Sequence, residues 1–135
     1  MIKILIYEVL GWINVFLLIL NGSLFILKKI YKNYKFKNSK NKIKYLSLLK
    51  KISFFHKING LLIILIAIIH AYLILGTVFY IHTGSILLIL IIINFLLYIF
   101  KNLKIFKKWL LIHKLNTIII FTALIIHLTN PWIFG

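Results

Sequence analysis

Four histidines stand at one repeated spacing in the apolar segments of the sequence. His56 and His70 are 14 residues apart, and His113 and His127 are also 14 residues apart. At about 3.6 residues per turn this spacing is close to four helical turns, and left-handed supercoiling toward about 3.5 residues per turn removes most of the difference. Both imidazoles of each helix are therefore predicted to face the inside of a helical bundle, at two levels about 21 Å apart.

Imidazoles that meet across a bundle are suited to ligating haem iron. If the two helices are parallel, His56 meets His113 at an inner level and His70 meets His127 at an outer level. One neutral imidazole on each side of a macrocycle gives low-spin iron without an open coordination position, which favours one-electron transfer. Because ionisable side chains inside a bilayer are costly and usually functional, we predict two haem b groups with these four axial ligands.

Two other roles stay open for these histidines. Histidines in membrane helices also form hydrogen bonds between helices, although that role gives no reason for a repeated spacing. A bare metal ion is the lesser alternative, because two imidazoles at each level are too few ligands for zinc. The sequence has no Cys, which also excludes covalent attachment of a c-type haem.

Five further polar residues are candidates around these ligands. Asn59 and Asn116 follow the inner ligands by three residues, so they share the same helix face and are expected to bond to the inner haem, to each other, or only to neighbouring helices. Lys57 and Lys114 follow the inner ligands directly, within reach of haem propionates or of water. His82 lies outside the register, as a solvated side chain or as a proton relay near the outer haem.

The elements that must position these residues are membrane helices. The 135 residues are 63% hydrophobic and 13% charged, with a mean hydropathy of +1.07, whereas soluble domains are roughly 25% charged. We predict an all-α integral membrane protein, a single transmembrane domain over residues 1–135 that folds as an up-down-up-down four-helix bundle. The apolar segments, of which the third is the shortest, cover about 9–27, 52–78, 85–100 and 109–129. The first is expected to be retained rather than cleaved as a signal peptide.

The charge of the chain predicts its orientation in the membrane. All basic residues are Lys, Glu8 is the only acid, and the net charge is +16. Such a charge is typical of nucleic-acid binding, but these lysines flank apolar segments, so no nucleic acid is expected. They concentrate in a basic loop over 28–51 and in a second loop over 101–108. The positive-inside rule makes both loops cytoplasmic and both termini external, in a multi-pass protein of the plasma membrane.

Two halves of the sequence correspond to each other. An offset of 57 aligns His56-Lys57-Ile58-Asn59 with His113-Lys114-Leu115-Asn116, and it aligns His70 with His127. In the first and third segments, Asn21 corresponds to Asn94, and the similarity continues to Lys28, which corresponds to Lys101. Apolar low complexity explains matches of Ile and Leu but not the polar matches. We therefore predict a duplicated helical hairpin whose copies run in the same direction.

The stretch Phe55-His56-Lys57 through Ile69-His70, with Gly60 four residues after the first ligand, resembles the haem-binding helix of ferric reductase and NADPH oxidase transmembrane domains. The second and fourth segments are expected to face each other diagonally across the bundle, which is similar to the arrangement in the cytochrome b of quinol–cytochrome c reductases. The resemblance covers the second to fourth segments, and it implies axial ligation by the four histidines and electron transfer to an outer acceptor such as ferric iron or oxygen. Those reductases and oxidases usually have six core helices and a flavin and nicotinamide domain, whereas this sequence has four segments and no nucleotide fingerprint.

The function expected from these features is transmembrane electron transfer by a minimal di-haem cytochrome. A cytoplasmic flavoprotein or a quinol would be the donor, and an outer acceptor or a partner subunit would receive the electrons. The basic segment 28–51 would dock an acidic donor or hold anionic lipid. One alternative is a quinone-reactive cytochrome b subunit of a larger membrane oxidoreductase, with Glu8 and His82 as proton-handling groups. A second is a haem-free small transporter or assembly protein. Whether the chain is itself an enzyme is left open.

Overall fold

The computed structural model describes residues 2–34, 38–77, 80–102 and 108–133 of the chain. These residues form four α-helices and contain no strand, which confirms the all-helical prediction. The helices are α1 (Ile2–Asn33), α2 (Ser39–Leu75), α3 (Thr83–Ile99) and α4 (Trp109–Thr129), and a 3-10 turn covers Phe100–Asn102. The fourth predicted segment has the same bounds as α4.

Local side-chain and backbone chemistry sets the helix ends. Asn38 caps the start of α2 with a side chain that accepts the backbone N–H of Lys40 at 2.8 Å, a common N-cap arrangement. Gly76 ends α2 in the left-handed conformation, with φ of +68°, which glycine adopts without steric cost. Pro131 follows the end of α4 by two residues, where a helix cannot continue.

The predicted basic loop over 28–51 is wrong for most of its length. α1 continues to Asn33 and α2 begins at Ser39, so the lysines of this segment lie mainly on two helix ends; Lys35 and Lys37 lie outside the described residues. The chain has neither Gly nor Pro between Gly22 and Gly60, and Lys and Leu are good helix formers. Hydropathy therefore identified the ends of the apolar segments, whereas the helices extend beyond them.

The surface of the molecule is that of a membrane protein. α1 from Leu5, α2 and α4 are long and apolar enough to cross a membrane. The 17 residues of α3 span about 26 Å, somewhat less than a bilayer core of about 30 Å. The accessible surface is 10065 Å², whereas a compact soluble protein of this mass has about 7,400 Å². Much of it consists of exposed Leu, Ile and Phe side chains, for which lipid is the suitable solvent.

One buried apolar layer joins the four helices. Helix α1 packs against α2, α2 against α3, and α3 against α4. The buried cluster takes Leu18 from α1, Ile63 from α2, Leu87 and Ile91 from α3, and Ile120 and Leu124 from α4. Ile63 and Ile120 are only 1% and 3% exposed. Each stands seven residues from both histidines of its own helix, so the histidine positions share the buried face of α2 and of α4.

Candidate functional site

The inner histidines lie side by side on two different helices. The ring centroids of His56 on α2 and His113 on α4 are 6.2 Å apart, with planes at 70°. Two imidazoles that ligate one metal from opposite sides have centroids about 6 Å apart, because each metal–nitrogen bond is about 2 Å and the ring centre lies about 1 Å behind the nitrogen. The separation of His56 and His113 is therefore close to that of two ligands sharing one ion.

The outer histidines line one cavity of about 240 Å³. His70 from α2, His127 from α4, and His82 from the segment before α3 all contribute to its wall, as does Glu8 of α1. The ring next to His127 is that of His82, with centroids 6.0 Å apart. Among the described residues the structure brings His56 and His113 into ring contact, but not His70 and His127. His70 and His127, the predicted outer pair, thus line the same cavity but their rings are not in contact.

Hydrogen bonds set the protonation of three of these rings. The Nδ1–H of His70 donates to the Tyr7 carbonyl at 2.8 Å, and that of His113 donates to the Asn94 carbonyl at 3.3 Å. Because a carbonyl oxygen only accepts, the proton of each neutral ring is on Nδ1 and the Nε2 lone pair is available. The Nδ1 of His127 is 2.9 Å from the Thr83 hydroxyl. Ligating histidines typically show this arrangement, with the second nitrogen bonded to an acceptor.

The ring of His56 differs from the other three in its hydrogen bonding. Its Nδ1 is buried and has no hydrogen-bond partner among the described residues. The Asn21 amide donates to the His56 backbone carbonyl at 3.4 Å, and the Asn21 Oδ1 is also buried without a described partner. Unpaired buried polar atoms are uncommon in folded proteins and call for a reason. Of the four such side-chain atoms in the described part of the chain, two belong to His56 and its hydrogen-bond partner Asn21, and the others belong to Asn14 and Asn94.

His82 is buried, not solvated. It is 6% exposed and lies between His127 and Trp132, whose ring centroid is 5.9 Å away. Its Nδ1 accepts the backbone N–H of Ser85 at 3.0 Å and so caps α3. Burial lowers the pKa of His82 below its ordinary value, and the nearby His70 acts in the same direction, because both disfavour the charged ring. The observed role of this imidazole is that of a helix cap.

Gly11 and Gly84 have no side chain where the outer imidazoles lie. A Cβ on Gly11 would lie 3.0 Å from Cε1 of His70, and a Cβ on Gly84 would lie 3.0 Å from Cε1 of His127 and 2.9 Å from Cε1 of His82. A larger residue at either position would displace the ring. The role of Gly84 was not predicted, although an offset of 73 relates Gly11 to Gly84 and also relates the first and third segments.

The other predicted site residues have partners of their own. The side-chain amide of Asn116 is buried and donates to the Leu90 carbonyl at 2.9 Å, so helix packing is its observed role. Asn59 is half-buried beside the inner level. The Nζ of Lys57 lies 5.6 Å from the ring of Tyr98, and that of Lys114 lies 5.5 Å from the ring of Phe25. Both ammonium groups thus make cation–π contacts.

The fold and the site define an apolar, all-helical protein of membrane type. Four of its five histidines lie at two levels on α2 and α4, and His82, just before α3, lies with the outer two. Comparisons of the chain with models of protein families, with characterised proteins and with solved structures find no match. Within the described residues no three His, Cys, Asp or Glu side chains converge to hold a bare metal ion.

Proposed function

We propose that the chain is a membrane-embedded electron carrier with two b-type haems, held by His56 and His113 at the inner level and by His70 and His127 at the outer level. The observation that carries this proposal is the inner pair. Its rings come from different helices and lie 6.2 Å apart at their centroids. That separation suits two imidazoles on opposite sides of one iron.

The donor set at each level fits haem better than a bare ion. Two neutral imidazoles supply two ligands, and a macrocycle supplies the other four. Three of the rings have Nδ1 hydrogen-bonded in a way that leaves Nε2 as the metal-binding atom. Gly11 and Gly84 leave the space beside His70 and His127 that a Cβ would fill. When bound, haem supplies an iron that cycles between the ferric and ferrous states, one electron at a time.

The residues of the chain would hold and separate the two groups. The hydrogen bonds that His70 and His113 donate to the Tyr7 and Asn94 carbonyls would fix the two rings and raise their basicity as ligands. Between the two levels lies the buried apolar layer around Ile63 and Ile120, which excludes water from the centre of the bundle. Because the levels are about 21 Å apart along the helices, each group would lie nearer to one face of the bilayer.

We also propose the topology and orientation that this function needs. The bundle is up-down-up-down, built from a duplicated hairpin, and corresponding contacts in the two halves support the duplication. Gly11 lies against His70 as Gly84 lies against His127. The lysine-rich helix ends are cytoplasmic by the positive-inside rule, in the plasma membrane. There they would meet an acidic flavoprotein, while a quinol in the bilayer is the other donor; the acceptor or partner subunit is on the outer side.

One observation favours a second candidate, the quinone-reactive subunit of a larger membrane oxidoreductase. Glu8, the only acid in the sequence, lines the outer cavity together with His70 and His82. A carboxylate in that position could accept a proton from a quinol. This candidate has the same two haems as the electron carrier proposed above, but its electrons enter from the outer side. Reduction by an outer donor, rather than by a cytoplasmic one, would distinguish it.

The experiment that tests the proposal compares histidine variants. The protein is purified in mild detergent, and the haem per chain is counted by pyridine haemochrome in the wild type and in His113→Ala, His70→Ala and His82→Ala. We expect two haems in the wild type, about one in the first two variants, and two in His82→Ala, the matched control. A colourless wild type would favour a haem-free transporter or assembly protein. Loss of a haem in His82→Ala, with none lost in His70→Ala, would assign the outer site to His82 and His127.

A further inference from the structure

Thr83 makes two hydrogen bonds that leave only one arrangement of protons. Its Oγ1 lies 2.8 Å from the Pro131 carbonyl and 2.9 Å from Nδ1 of His127, and the residue is only 4% exposed. The carbonyl has no hydrogen to give, so the Thr83 hydroxyl donates to it. The hydroxyl oxygen then has only lone pairs left for His127. The Nδ1 of His127 must therefore carry the hydrogen of that contact.

The consequence concerns the other nitrogen of the same ring. A neutral imidazole has one ring hydrogen, so a hydrogen on Nδ1 leaves Nε2 with a free lone pair. On the basis of the haem function proposed above, we propose that Thr83 is the positioning residue of the outer site: its hydroxyl selects the His127 tautomer that presents Nε2 to iron and holds the ring in place. Thr83 does not itself touch the iron.

Because of where Thr83 lies in the fold, its selection of the His127 tautomer depends on the segment that follows α4. Thr83 is the first residue of α3, and Pro131 lies just after α4, which ends at Thr129. The hydroxyl thus connects the start of one helix to the segment that follows the other, with His127 between them. His70 and His113 are oriented by backbone carbonyls. Among the residues that the structure describes, His127 is the one ligand candidate whose Nδ1 partner is a side chain, so its partner can be removed by mutation.

The first test measures the tautomer without haem. Nitrogen-15 spectra of histidine-labelled protein in detergent distinguish protonated from unprotonated ring nitrogens, and His127→Gln identifies the signal of His127. We expect a hydrogen on Nδ1 in the wild type, loss of this preference in Thr83→Val, and its return in Thr83→Ser, which keeps the hydroxyl. A hydrogen on Nε2 of wild-type His127, or an Nδ1 hydrogen that is unchanged in Thr83→Val, would overturn the inference.

The second test measures haem. Loss of the acceptor bonded to a metal-ligating histidine costs about 10- to 100-fold in affinity, so Thr83→Val should bind the outer haem that much more weakly and shift its midpoint potential, while Thr83→Ser remains close to the wild type. Thr122→Val is the matched control, because the Thr122 hydroxyl is exposed and donates to the Ile118 carbonyl of its own helix at 3.1 Å.

The two tests separate the inference from the function on which it rests. A wild-type chain without haem would overturn the haem function, whereas the ring-nitrogen signals would still decide whether Thr83 sets the tautomer of His127. Conversely, a two-haem wild type whose affinities and potentials are the same in Thr83→Val would keep the haem function and reject the role of Thr83.

Discussion

Adding one carbon atom at Gly84 should selectively weaken the outer site. In Gly84→Ala the new Cβ would lie 2.9 Å from Cε1 of His82 and 3.0 Å from Cε1 of His127, whereas ordinary contacts are 3.4–4 Å. The rings must therefore move by about 0.4 Å. His127 is held by Thr83 and His82 by Ser85, so neither moves freely. Overpacking of this kind costs about 1–3 kcal/mol, which corresponds to a loss of about 5- to 150-fold in haem affinity at the outer site.

Haem titration of the haem-depleted protein, followed by visible spectra, measures this loss. Gly60→Ala is the matched control, because its Cβ would meet the nearest atom, Cδ2 of Phe95, at an ordinary 3.4 Å; two full-affinity sites are expected there. Gly84→Ala should retain the inner site unchanged and lose affinity only at the outer one. Equal affinity of both sites in Gly84→Ala and in the wild type would refute the reasoning, since it would mean that the outer imidazoles do not need their present positions.

Three further predictions concern the core, the outer site and a basic helix end. Ile63→Ala and Ile120→Ala should each destabilise the bundle by about 2–5 kcal/mol, measured by unfolding in detergent, whereas Ile118→Ala, at a 65% exposed position, should change stability little. Gly11→Ala should weaken haem binding at the proposed outer site, because its Cβ would lie 3.0 Å from Cε1 of His70. Unchanged outer-haem spectra and affinity would contradict this. Replacing Lys40, Lys42 and Lys44 together by Gln should slow reduction of the protein by an acidic flavoprotein about tenfold or more at low salt. The control, in which the same three lysines are replaced by Arg, should keep the wild-type rate. A reduction rate that does not depend on salt would exclude electrostatic docking.

The sequence predicted the helices well and their ends poorly. Runs of Leu and Ile mark the apolar part of each helix, so the bounds of α4 followed directly. The segment 28–51 was predicted as a loop because its lysines are polar, yet polarity does not end a helix when Gly and Pro are absent. The start of α2 at Ser39 depends on the side chain of Asn38, a local effect that hydropathy does not record.

The same contrast applies to the candidate site. The proximity of His56 and His113 followed from a repeated spacing and a repeated segment, two patterns that are visible in the chain. The burial of His82 could not be predicted in this way, because it depends on Trp132, which is 50 residues away in the sequence and packs against its ring. The role of Thr83 likewise depends on where Pro131 is placed by the end of α4. Contacts made by loops and chain ends are set by the assembled bundle.

The most direct test of the central claim is the absorption and low-temperature electron paramagnetic resonance of the purified wild-type protein, combined with its iron and haem content. The proposed function predicts two haems per chain, sharp reduced bands, and only low-spin ferric signals, because each iron would have two imidazole ligands. A protein without visible absorption, or one with a single haem or a high-spin signal from an open coordination position, would contradict it.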